Sequence, residues 1–235
     1  MIYDCICDIG CVRKNNEDMA YVAGRLVRDG ECSGAVDPTC AFAVADGMGG
    51  YEGGEIASEI VTRSFAAFMK NFNPAGDNEA ITGLKDWAAQ ANRLVIDTAA
   101  IRTELAEMGT TFTGLVFFSD KAWLINVGDS RCYRIRGGVL KQLSVDHSER
   151  ERTGNPEVPS NLIYNFMGNL PEEFISDITE LKPAPGDIYM LCSDGLSDLV
   201  DDDAIEAGCS DAALLVELAK KAGGRDNITV IRIRL

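Results

Sequence analysis

The sequence predicts an α+β layered fold. Three observations carry that prediction: long stretches of helical spacing between residues 55 and 105, a run of short β-rich segments from 110 to 143, and a late helix followed by a returning strand. Residues 3–9 have β character, and residues 40–45 form a short apolar run that stops at Asp46. Gly49-Gly50 and Gly53-Gly54 then read as a flexible loop. From Glu55, the apolar residues Ile56, Ile60, Phe65, Phe68, Met69 and Phe72 recur at helical spacing until Asn73-Pro74 ends the pattern. A second amphipathic helix is expected over about 79–105, with Leu84, Trp87, Ala91, Leu94 and Val95 on one face. Residues 110–118, 122–127, 131–136 and 139–143 follow as strands. The turns between them, Ser119-Asp120, Gly128-Asp129 and Gly137-Gly138, suggest an antiparallel meander. A strand at 188–192, a helix at 212–222 stopped by Gly223-Gly224, and a strand at 228–235 complete the reading.

Length and charge narrow the function. The 235 residues suit one domain, expected to span 1–235, and no repeat or long linker divides them. With 37 acidic against 22 basic residues the formal charge is −15, which argues against a nucleic-acid surface. Much of the excess, including Asp201, Asp202 and Asp203, reads as solubilising charge. No apolar run approaches the roughly 20 residues of a membrane span. The opening MIYDCICDIG lacks the basic-then-apolar pattern of a signal peptide, so a cytoplasmic location is expected. Eight scattered cysteines show no zinc-ribbon spacing and are expected to be reduced and structural.

Five acidic motifs carry the chemistry: R-K-N-N-E-D at 13–18, A-D-G-M-G-G at 45–50, V-G-D-S-R at 127–131, C-S-D-G-L at 192–196 and R-D-N-I-T at 225–229. Several place an Asp where a strand would end. Carboxylates delivered in that way converge, repel one another and resist ionisation. Hard divalent cations with oxygen ligands remove the conflict. Taken singly, an Asp before Gly is an ordinary turn residue. Their order along the chain lifts them above that reading.

In that order the residues resemble the metal-dependent serine/threonine protein phosphatases of type 2C. D-x-G-x-x-R-x-x-N-E-D occurs as Asp8, Gly10, Arg13, Asn16, Glu17 and Asp18, followed by D-G-M-G-G at 46–50 and G-T-T at 109–111. G-D-S-R at 128–131, D-H-S at 146–148, S-D-G-L at 193–196 and D-N-I-T at 226–229 complete the set. The resemblance implies a four-layer α/β/β/α sandwich, two antiparallel sheets packed face to face with flanking helices. It also implies two Mn²⁺ or Mg²⁺ ions and a weaker third. Asp46 would bridge two of them, with the Gly47 carbonyl helping to hold the second. Asp194 and Asp226 would bind the first, and Asp129 would join Asp194 around the third. Glu17 would orient metal-bound water and Arg13 would grip the substrate phosphate. The implied reaction is hydrolysis of phosphoserine or phosphothreonine in proteins, by direct attack of a water bridging two ions.

Three further expectations attach to the resemblance. Met48 stands where some family members carry a histidine general acid, as in many bacterial relatives. No histidine acid is therefore expected, and the only histidine, His147, should fix a loop. The flap that family members usually place after D-H-S is reduced to about 149–160, which reads as a tight crossover and puts substrate selection and the third ion in doubt. Expected partners are phosphoserine and phosphothreonine proteins, including a cognate serine/threonine kinase or its substrates, and a monomer is expected. The alternative is a weak or inactive phosphatase-fold regulator that binds a phosphoprotein.

Overall fold

Near-continuous burial along the inner strands marks two sheets covered on both faces, with more exposed strands at the edges. The computed structural model describes residues 1–49 and 53–235. Its strands are β1 (Ile2–Asp8), β2 (Met19–Val22), β3 (Arg25–Val27), β4 (Gly30–Ala35), β5 (Cys40–Ala45), β6 (Gly47–Met48) and β7 (Gly109–Thr110), then β8 (Phe112–Phe118), β9 (Lys121–Val127), β10 (Arg131–Arg136), β11 (Val139–Gln142), β12 (Asp177–Leu181), β13 (Ile188–Cys192) and β14 (Ile228–Arg234). The helices are α1 (Gly53–Met69), α2 (Asp77–Ile101), α3 (Glu149–Thr153), α4 (Asp194–Ser197), α5 (Asp202–Gly208) and α6 (Ala212–Lys221). One sheet runs β11-β10-β13-β14-β1-β4 and the other β12-β9-β8-β5-β2-β3; β6 and β7 pair separately. The pairings are antiparallel.

The period-2 pattern decides the layering. In β5, Phe42 and Val44 enter the core between the sheets, while Ala41, Ala43 and Ala45 face α1 and α2. In β13, Tyr189 and Leu191 point inward, while Met190 and Cys192 face the α4–α6 layer. Helix, sheet, sheet and helix thus stack as four layers, as expected. Phe65, Trp87 and Phe112 pack edge-on or tilted at centroid distances of 4.7–5.0 Å and fasten α1 and α2 to the sheet. No helix among the described residues is long and apolar enough to cross a membrane.

Several local expectations change. The run from 110 to 143 is not one meander. β8 and β9 form a hairpin in one sheet, β10 and β11 a hairpin in the other. The Gly128-Asp129 turn carries the chain across. Gly128 has φ +102, and a Cβ there would come within 2.7 Å of Thr111. Gly53 and Gly54 are not loop; they open α1, because Gly54 packs directly on the backbone of Gly47, where a Cβ would meet Gly47 at 2.6 Å. Gly50 of the expected loop lies outside the described residues. The second helix runs Asp77–Ile101 and continues as a 3₁₀ turn, Thr103–Leu105. Among the acidic run, Asp201 does more than solubilise: its side chain accepts from Ala204 N at 2.8 Å and caps α5.

The stretch 149–160 is also not a crossover. Ser148 caps α3, left-handed Gly154 ends it, and the bridge from Ser148 to Ile163 returns the chain to its starting point. It is an out-and-back loop with one short helix. The eight cysteines are all unpaired, four of them buried.

Candidate functional site

Strand ends deliver the acidic residues to one edge of the sandwich. Asp46 follows β5 directly, Asp129 follows β9 after one glycine, Asp194 opens α4 just beyond β13, and Asp226 precedes β14. Together with Arg13, Glu17, Gly47, Met48 and Thr111 they line a cleft of about 240 Å³. That volume is below the roughly 300–1,000 Å³ of sites that enclose whole small molecules. It suits a small charged headgroup. A larger depression of about 600 Å³, walled by Tyr21, Met69 and Phe72, has Asp37 as its only charged lining residue among those described and gathers no such set there.

Backbone hydrogen bonds fix the carboxylates. Thr110 Oγ1 and Thr111 N donate to the Asp46 carbonyl at 2.8 and 2.9 Å, and Asp46 N donates to Thr111 Oγ1 at 3.0 Å. Thr111 Oγ1 also lies 2.7 Å from Ser130 Oγ, beside Asp129. Across the cleft, Asn227 acts as a clasp. Its Oδ1 accepts from Glu17 N at 2.8 Å, and its Nδ2 donates to the carbonyls of Ile9 and Asn15 at 3.1 Å. The G-T-T and D-N-I-T segments thus hold their neighbours, Asp46 and Glu17, in place.

The electrostatics are strained in one direction. Burial raises the Asp46 carboxyl well above the usual carboxylate range, and Asp18 and Asp194 add repulsion. Burial and then Asp129 do the same to Asp194. Asp129 is raised to about 7 by burial and by Asp146, and burial raises Glu17 as well. Asp46, Asp129 and Asp194 still touch water through the cleft mouth, so solvent softens these shifts. Asp18, which motif order alone did not mark as a site residue, is fully buried behind them and raised to about 6 by burial. Ser193 Oγ donates to its Oδ2 at 2.8 Å, while Oδ1 has no partner. Among the described residues Arg13 is the only cation lining the cleft, and its Nη2 reaches Asp226 Oδ2 at 2.6 Å.

Oxygen donors in mutual repulsion, an orphaned carboxylate oxygen behind them and a single guanidinium in front fit hard divalent cations. Among the described residues no three His, Cys, Asp or Glu side chains are already drawn into one closed coordinating group. Arg13 instead supplies the neutralising charge at Asp226.

His147 stands outside the cleft lining. Its Nδ1 accepts from Gly128 N at 3.2 Å and faces Asn165 Nδ2 at 2.6 Å, which leaves the proton on Nε2, 3.1 Å from Asp177. It fixes the loop beside Asp129, as expected. Asn161 and Ile163, at the exit of the 149–160 loop, do line the cleft.

The description "Protein phosphatase 2C" belongs to the family model that matches residues 27–221. The chain belongs to the protein phosphatase 2C family. The phosphatase 2C match includes Asp46, Asp129 and Asp194; Arg13, Glu17 and Asp226 lie outside its limits and are tied to it by the shared cleft. Serine/threonine protein phosphatase PstP of Mycobacterium tuberculosis (strain ATCC 25618 / H37Rv) is 34% identical over 95% of this chain and 43% of its own length. This chain therefore spans less than half of that relative. Serine/threonine phosphatase stp of Listeria monocytogenes (serovar 1/2a) is 30% identical, covering 89% of this chain and 92% of the relative. A crystal structure of the catalytic domain of PstP in complex with two manganese ions superposes with a TM-score of 0.81 at 30% identity, covering 99% of this chain and 97% of that one.

Proposed function

We propose that this chain, as one domain, hydrolyses phosphoserine and phosphothreonine in proteins, using two divalent ions, Mn²⁺ or Mg²⁺, held in the acidic cleft. The observation that carries the reading is the convergence of Asp46, Asp129 and Asp194, half-buried and raised together, in a cleft whose described lining residues include one arginine. The names of the bacterial relatives and the manganese in the PstP structure support it.

Asp46, Asp194 and Asp226, with the Gly47 carbonyl, would hold the two ions, and Asp129 with Asp194 would hold a weaker third. Ions bound there supply charge that lowers the pKa of water and stabilises both attacking and leaving oxygens at phosphorus. Glu17 sits at the cleft wall and orients the attacking water by accepting its hydrogen bond. Arg13 presents a planar fork suited to phosphate oxygens. Its pair with Asp226 is half exposed, and exposed pairs contribute only about 0–1 kcal/mol, so substrate can take the guanidinium over. No imidazole lines the cleft among the described residues, so the leaving alkoxide takes its proton from water rather than from His147. A narrow cleft open to the surface favours a side-chain phosphate on a protein over an enclosed metabolite.

The test is phosphate release from a phosphothreonine peptide with Mn²⁺, with EDTA, and by Asp194→Ala with Mn²⁺. Release that requires both Mn²⁺ and Asp194 supports the proposal. Release unaffected by EDTA, or faster turnover of free phosphometabolites than of the peptide, overturns it. Tight phosphopeptide binding without turnover would favour a regulator of the same fold.

A further inference from the structure

Far from the acidic cleft's chemistry, two cysteines meet across strands. β4 is the edge strand of its sheet and β1 lies beside it, in a register that sets Cys5 opposite Cys32. Met1 and Val36 of the same ladder exchange both backbone hydrogen bonds, at 3.2 and 3.0 Å. By the alternation of antiparallel ladders, Cys5 and Cys32 also form a hydrogen-bonded pair, with Cα atoms about 5.5 Å apart. Disulfides need Cα separations of about 4.4–6.8 Å and Cβ separations of about 3.5–4.5 Å. A hydrogen-bonded pair meets the first but starts at about 5.5 Å on the second, so closure must draw edge strand β4 inward. Both side chains lie on the inner face: Cys5 is in the inter-sheet core and Cys32 packs against it. Cys7 faces Gly30 across the ladder and turns its thiol to the Val27 carbonyl at 3.5 Å; its sulfur also neighbours that of Cys5, but it sits two residues along the same strand rather than opposite it.

Access divides the roles. Cys5 is fully buried, whereas Cys32 is half-buried on the edge strand, within reach of a small oxidant. The adjacent Cys5 thiol, placed to donate, holds Cys32 below the usual thiol range, at about 7, with a further contribution from Arg25.

We propose that Cys5 and Cys32 are a hydroperoxide-sensitive dithiol that closes to a disulfide and staples edge strand β4 to β1. The Cys32 thiolate attacks one peroxide oxygen, and the O–O bond breaks. For hydrogen peroxide this leaves a sulfenic acid on Cys32 and, after proton uptake, one water. The Cys5 sulfur then attacks the Cys32 sulfur, the S–O bond breaks, and hydroxide leaves with the Cys5 proton as a second water. Two thiols lose two electrons and two protons; the peroxide gains them. The closed loop comprises residues 6–31 and so contains Arg13, Glu17 and Asp18, which anchors the N-terminal wall of the cleft.

The experiment exposes the full chain to hydrogen peroxide, blocks remaining thiols with N-ethylmaleimide, and maps cross-linked peptides by mass spectrometry. The expected product is lighter by two hydrogens, carries a Cys5–Cys32 link that dithiothreitol reverses, and melts at a higher temperature than the reduced chain. Cys32→Ser should abolish the link; Cys7→Ser and Cys40→Ser should keep it. Cys32 recovered as thiol or sulfinic acid with Cys5 free, or a link through any other pair, overturns the proposal. The wild-type map decides this whether or not a variant folds.

Discussion

Asp129 and Asp146 sit close enough to repel, yet they live in opposite environments. Asp146 is paired on both oxygens: Arg131 donates from Nε at 3.0–3.1 Å and from Nη2 at 2.7 Å, and Gln142 adds a bond at 2.8 Å. Asp129 has no such fork and is raised to about 7. Asp46 and Asp194 share its condition, and one guanidinium serves the whole cleft. A structural carboxylate arrives with its own cation; the cleft carboxylates are arranged for one that comes from solution. Full pairing against shared repulsion, rather than burial alone, separates the two classes.

Substitutions should break that comparison cleanly. Asp46→Asn is expected to lower phosphate release by on the order of 10³-fold, about 4 kcal/mol of lost transition-state stabilisation, measured on a phosphothreonine peptide. Its fold should persist, because the change removes repulsion.

Divalent ions should reverse the pH response of the wild type. The carboxyls of Asp18, Asp46, Asp129 and Asp194 have folded pKa values above their unfolded value near ~4, so the folded state holds protons more tightly than the unfolded state. Their contribution is therefore fully favourable below about pH 4 and is lost as pH rises through about 6 for Asp18 and about 7 for Asp129. In EDTA, the melting temperature should fall between pH 5 and 8. Mn²⁺ at about 100 times its dissociation constant should restore about 2.7 kcal/mol, roughly 5–10 °C, at pH 8 and much less at pH 5, readable by calorimetry.

Asp146→Asn should do the converse of Asp46→Asn. Leaving Arg131 without its fork should cost about 2–3 kcal/mol in urea unfolding, with turnover per folded molecule nearly unchanged. The smallest effect belongs to Arg13→Lys, which keeps the charge and loses the planar fork; KM should rise about tenfold, near 1.4 kcal/mol, with a smaller change in kcat.

Residue type and position made much of the cleft legible. Asp46, Asp129 and Asp194 each terminate an apolar run, and a strand end is where a side chain leaves the sheet for its rim. Asp226, Arg13 and Glu17 were readable through motif order, which proximity in space then supports. Asp18 was quoted within a motif yet carried no visible role, because its burial depends on Ser193 and β14, contributed from the other end of the chain. The brackets formed by Thr111, Ser130 and Asn227 were equally hidden: each bonds to segments distant in sequence. Apolar alternation predicted β8 to β11 but not their division between sheets, since a Gly-Asp turn signals reversal in a hairpin and passage to a second layer alike. β4 was missed because G-E-C-S-G-A lacks the apolar, β-branched pattern of a strand; its edge position, exposed along most of its length, requires none.

The most direct test of the contrast is a calorimetric Mn²⁺ titration at pH 7.5 of the wild type, Asp46→Asn and Asp146→Asn. Binding in the wild type and Asp146→Asn, with loss of it in Asp46→Asn, is the predicted result. Equal binding in all three proteins, or none in the folded wild type, would contradict the claim that the cleft carboxylates are held apart from a cation that solution must supply.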